Sequence, residues 1–94
     1  LWAFITRGDA YNQLGLLKND TAMFQIANRD FKEAINLSLY DFQKALSYSF
    51  RGVSYLLQEK NKLAINDFKE AIKFRENYYS CYFLIAKAYS NSIT

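Results

Sequence analysis

The six residues Asp30-Phe-Lys-Glu-Ala-Ile35 occur again as Asp67-Phe-Lys-Glu-Ala-Ile72. An identical duplication of this length within 94 residues marks an internal repeat, which restricts the chain to stacked copies of one supersecondary unit. The flanks extend the repeat. Phe4-x-x-Arg7-Gly8-x-x-Tyr11 precedes the first copy, Tyr48-x-x-Arg51-Gly52-x-x-Tyr55 precedes the second, and Tyr82-x-x-Ile85-Ala86-x-x-Tyr89 follows it. One unit is therefore an aromatic, a small residue and a tyrosine on a first segment, then Ala-x-x-x-Phe-x-x-Ala on a second.

Apolar residues recur at three- and four-residue steps throughout, the period of a helix with one buried face. The spacing predicts helices over Leu1–Leu17, Thr21–Leu37, Phe42–Gln58, Lys62–Phe74 and Tyr78–Ser90, with Asn91–Thr94 fraying. Asp20 or Thr21 caps the second helix and Asp41 the third, because a short side-chain oxygen accepts a free backbone N–H. The inward stripes are Phe4, Gly8, Tyr11 and Gly15, then Met23, Phe24, Ala27, Phe31, Ala34 and Ile35. They continue with Phe42, Ala45, Tyr48, Gly52 and Tyr55, then Ala64, Phe68, Ala71 and Ile72, then Tyr82, Ile85, Ala86 and Tyr89. Glycine inside a helix costs helix propensity, so Gly8 and Gly52 are expected where a neighbouring helix approaches the backbone.

This pattern resembles the tetratricopeptide repeat (TPR). Gly52 and Ala86 are 34 residues apart, the length of that repeat, and Ala64, Phe68 and Ala71 match its second helix. The resemblance covers nearly the whole chain. It implies an all-α fold of about five helices, with antiparallel helix-turn-helix repeats stacked as a right-handed superhelix. As a single TPR-like domain over 1–94, it divides into a lengthened first repeat (1–40), a second (41–77) and the first helix of a third (78–94). The chain departs from the family in lacking proline, in carrying Arg7 and Arg51 where leucine is common, and in its long first unit. Gly8 to Gly52 spans 44 residues. Seven of the ten extra residues fall between Gly15 and Ala27, about two helical turns. They predict a first hairpin one turn taller than its neighbour.

In the family, the first helix of each pair lines a concave side that takes a peptide or a partner helix. By that resemblance the groove-lining candidates are Ile5, Asp9 and Asn12, then Ser49, Phe50, Val53 and Leu57, then Phe83, Leu84 and Lys87, with Trp2, Gln13, Leu46, Leu56 and Asn91 beside them. The third helix is unusually apolar. Phe50, Val53, Leu56 and Leu57 lie off its inward stripe, so they either form an apolar groove or are covered by further chain or a second copy. Some family members clamp a chaperone's acidic tail with Lys, Arg and Asn. Here Ile5, Asp9, Phe50, Ser80 and Leu84 stand at those places and hold no carboxylate.

Composition narrows the function further. The net charge is +3, and the basic residues are scattered among nine acids without a run. A nucleic-acid surface clusters its cations, and a helical-repeat RNA code needs paired polar residues in every unit. Asn12, Leu56 and Ser90 are equivalent and form none. Histidine is absent, and Cys81 is the only cysteine. Asp9, Asp30, Asp41 and Asp67 read as unpartnered acids, with Asp30 and Asp67 on the solvated side. No enzyme and no cofactor are expected. The absence of a signal or membrane-spanning stretch suggests a cytoplasmic protein without membrane insertion, and a chain starting at Leu1 suggests a piece of something longer. The expectation is a non-catalytic module that binds a protein or peptide through apolar side chains. The alternative is a structural segment of a longer array that self-associates as a homo-oligomer.

Overall fold

The computed structural model describes residues 1–93, and among these every regular element is a helix. The helices are α1 (Trp2–Lys18), α2 (Thr21–Leu37), α3 (Asp41–Leu57), α4 (Asn61–Phe74) and α5 (Tyr79–Ile93). Links of two to four residues make successive helices antiparallel neighbours. Each helix packs chiefly on the next in sequence, and α1 also touches α3. The result is a slab of 36 × 25 × 15 Å.

Local chemistry explains the boundaries. Asn19 closes α1 in the left-handed conformation (φ 50°), and the Asp20 N–H donates to Gly15 O at 3.0 Å. Asp20 then caps α2, its carboxylate accepting from Ala22 N at 3.0 Å. Glu59 (φ 62°) turns the second hairpin in the same way. The cap of α3 differs from expectation. Asp41 is already helical, and Gln43 Oε1 reaches back to Leu39 N (3.0 Å) and Tyr40 N (3.3 Å). At the other end α5 runs on through Asn91 to Ile93, so the fraying expected there is not found; Thr94 lies outside the described residues.

The core is a row of phenylalanines set into glycines. Phe31 and Phe68 are fully buried and Phe24 is 4% exposed. A Cβ on Gly8, Gly52 or Gly15 would lie 2.6 Å from a ring carbon of Phe31, Phe68 or Phe24 respectively. Each ring thus lies against bare helix backbone. Gly15 and Phe24 both fall seven residues from Gly8 and Phe31, so the extra length of the first hairpin adds one more glycine–phenylalanine layer.

That layer does not stand clear of its neighbour. Ser54 Oγ donates to Phe24 O at 3.2 Å, and both α2 and α3 extend only three residues past this bond. The first hairpin is longer but ends level with α3, because α3 itself begins early at Asp41.

The inward stripe of α5 is also turned from expectation. Cys81 and Ala88 are buried with Leu84 and Ile85 half-buried, whereas Tyr82, Ala86 and Tyr89 face solvent. Their equivalents Tyr48, Gly52 and Tyr55 face α4. On α5 no described helix occupies that side, so the helix packs by its other flank. Phe42 is likewise 58% exposed, stacked beside Trp2 and Tyr40 rather than buried.

Candidate functional site

Helix α3 sits at the centre of the slab. Its Ser47, Ser49 and Ser54 are buried, small enough to let α2 and α4 close on it. Leu46, Ser49, Phe50 and Val53, at i, i+3, i+4 and i+7, form one ridge. Opposite stand Tyr78, in the link just before α5, and Ser80, Cys81 and Leu84 from the start of α5. Between them lies an open cleft of about 200 Å³.

Hydrogen bonds and stacking hold the walls. Ser49 Oγ donates to Leu46 O at 2.7 Å, which leaves Tyr78 Oη to donate to Ser49 Oγ at 2.9 Å. Arg75 lies over the Tyr78 ring, 4.5 Å from its centroid. Phe50 stacks on Phe31 at 5.6 Å, which ties one wall to the core of the first hairpin. Cys81 forms part of the floor. Burial pushes its thiol up to about 11, so it stays protonated and unreactive at neutral pH.

Of the expected groove residues, Ser49, Phe50, Val53 and Leu84 meet in this cleft. Leu57 and Asp9 are half-buried elsewhere, and Lys87 is exposed outside it. Phe83, 69% exposed, lies on the outer face of α5. Ile5 and Asn12 are buried at 6% and 2%, so neither is open to a partner. Both polar atoms of the Asn12 amide lack a hydrogen-bond partner. Tyr78, Ser80 and Cys81 were not expected in the groove; the register of α5 places them there, and no motif marks them.

A second feature was hidden in the duplication. Asp30 and Asp67 are buried, not solvated, and each takes a two-pronged arginine. Arg7 Nε and Nη2 reach Asp30 at 2.9 and 2.7 Å, and Arg51 Nε and Nη2 reach Asp67 at 2.8 and 2.9 Å. Arg7 also lies over Phe4 at 5.5 Å, and Arg51 over Tyr48 and Tyr55 at 5.6 and 5.9 Å. Burial raises the Asp67 carboxyl above its ordinary value despite the pull of Arg51. The signal was legible: Arg precedes Gly, and Asp precedes Phe, in both complete units, while Ile85-Ala86 replaces Arg-Gly on α5. Around the first pair, Phe4, Arg7, Tyr11, Ile26, Arg29, Asp30, Lys32 and Glu33 line a wider cleft of about 540 Å³ whose rim mixes both charges. No helix among the described residues is long and apolar enough to cross a membrane. Compared with known proteins, the chain matches no family model, no curated protein sequence and no solved structure.

Proposed function

We propose that this chain is a TPR-type array, coiled as a right-handed superhelix, and that it acts as a non-catalytic protein-interaction module. The cleft between α3 and α5 takes one apolar side chain of a partner peptide or helix. The observation that carries this reading is the meeting of Ser49, Phe50, Val53 and Leu84 in one open cleft. Its volume, about 200 Å³, is below the ~300–1,000 Å³ of small-molecule sites and suits a single side chain. The lining favours binding over chemistry. Tyr78 donates its hydroxyl proton to Ser49, Ser49 donates its own to the Leu46 carbonyl, and the thiol is protonated. The TPR reading is supported by the glycine–phenylalanine layers at equivalent places in the two hairpins.

Burying one large apolar side chain contributes about 1.5–3 kcal/mol, below the ~4–15 kcal/mol cost of association. The cleft therefore anchors a partner whose remaining contacts lie along the same side. Amide NMR titration with N-acetyl-phenylalaninamide and N-acetyl-leucinamide tests the anchor. Shifts confined to Val53, Ser80, Cys81 and Leu84, absent with N-acetyl-lysinamide, are expected. Ser80 is exposed, so Ser80→Trp should fill the cleft and remove the shifts without changing the melting temperature. Scattered shifts, or none at tens of millimolar, would count against the reading.

A further inference from the structure

We propose that the outer face of α5 pairs with the same face of a second copy of this chain, helix against helix, across a two-fold axis near Ala86. Tyr79, Tyr82, Phe83 and Tyr89 are 75%, 50%, 69% and 48% exposed, and they surround Ala86 on one side of the helix. Tyr82, Ala86 and Tyr89 are the repeat equivalents of Tyr48, Gly52 and Tyr55, the row that α4 covers in the second hairpin. The molecule therefore shows, one repeat earlier, that this row packs against a helix.

Three observations select a second α5 as that helix. The first is charge. Lys87 is the only charged side chain in α5, and it lies at the edge of the aromatic face. In an isologous pair both copies present the same face, so a face whose one charge lies at its edge meets itself with little repulsion. The cleft over α1 and α2 carries Arg7, Arg29, Lys32, Asp30 and Glu33, for which this face offers no countercharge, so head-to-tail stacking is disfavoured. The second is shape. Helices like α2 and α4 seat a phenylalanine 2.6 Å from where a Cβ would stand, and the methyl of Ala86 closes that pit. Ile85 also stands where Arg7 and Arg51 do, so the row offers no cation to an aspartate. The third is area. At about 200 Å² per aromatic, the four side chains expose roughly 500 Å² per copy. Two copies reach about 1,000 Å², the lower limit of a specific interface. An interface of that size belongs with the weak, transient ones.

Sedimentation equilibrium of the chain across about 1–200 µM tests the pairing. A reversible monomer–dimer equilibrium is expected. Phe83→Glu should leave only monomer at every concentration, with unchanged helical circular dichroism. Phe42→Glu, which alters the other exposed aromatic patch, should leave the dimer intact. Oxidised Ala86→Cys should yield a disulfide-linked dimer, because the natural Cys81 is fully buried. A monomer at 200 µM, open-ended growth with concentration, or loss of the dimer in Phe42→Glu would overturn the proposal.

Discussion

Two kinds of small residue carry this fold, and each makes a prediction opposite to its usual behaviour. In an exposed helix, glycine to alanine adds about 1 kcal/mol of stability. At Gly52 the new methyl would meet three ring carbons of Phe68 at 2.6, 2.8 and 3.0 Å, and that ring has no exposed edge to move into. Overpacking of this kind costs about 1–3 kcal/mol. Gly52→Ala should therefore lower the urea midpoint, and adding Phe68→Leu should recover part of the loss through coupling of the two sites. A rise in midpoint for the single variant would mean that the ring has room. Cys81 acts through burial. Its thiol ionises near 11 in the folded chain against 9.0 when free, so the folded state favours the protonated form. Its contribution is complete below pH 9 and is lost as pH rises through 11, by at most about 3 kcal/mol. Stability measured from pH 7 to 11 should fall more steeply for the natural chain than for Cys81→Ala. Parallel curves would show that the thiol is not held in an apolar site.

The first hairpin is an element with one layer more than the second. Its added length looks dispensable in a repeat array, where units contact only their neighbours. The packing says otherwise. Phe24 is 4% exposed against Gly15, and its carbonyl accepts from Ser54 across the hairpin boundary. Phe24→Ala should cost about 3–5 kcal/mol, the range for a buried phenylalanine, read from urea denaturation. A loss under about 1 kcal/mol would make the tip peripheral. The Arg–Asp pairs divide the two hairpins in a different way. Side-chain exposure of the arginine is 60% for Arg7 and 23% for Arg51, although both bonds have the same geometry. Partial burial of Arg51 under Tyr48 and Tyr55 makes its pair the less screened of the two.

At the scale of the whole molecule, the stack has a centre and two unequal ends. Helix α3 is flanked on most of its circumference, which is why a helix with Leu46, Phe50, Val53, Leu56 and Leu57 can sit in water as part of this chain. The α5 end is aromatic and uncharged apart from Lys87, while the face over α1 and α2 is charged.

Helix number, hairpin order and the close approach of a neighbouring helix at Gly8 and Gly52 were readable from the letters alone, whereas the phenylalanine that fills each place came from the packing. The readable features follow from a period of three or four residues and from steric exclusion, both local to a segment or repeated between segments. The Arg–Asp pairs were readable too, since each residue recurs at a fixed place in both complete units, but reading acids one at a time hid them. Tertiary structure decided the rest. Burial of Ile5 and Asn12, the level ending of the first hairpin and the turned face of α5 depend on which flank of a helix finds a neighbour. A helical stripe shows that a face is apolar, but not which neighbour covers it. On α5 the packed neighbour lies to one side only, so the residues that repeat the buried row of α3 are the ones left in solvent.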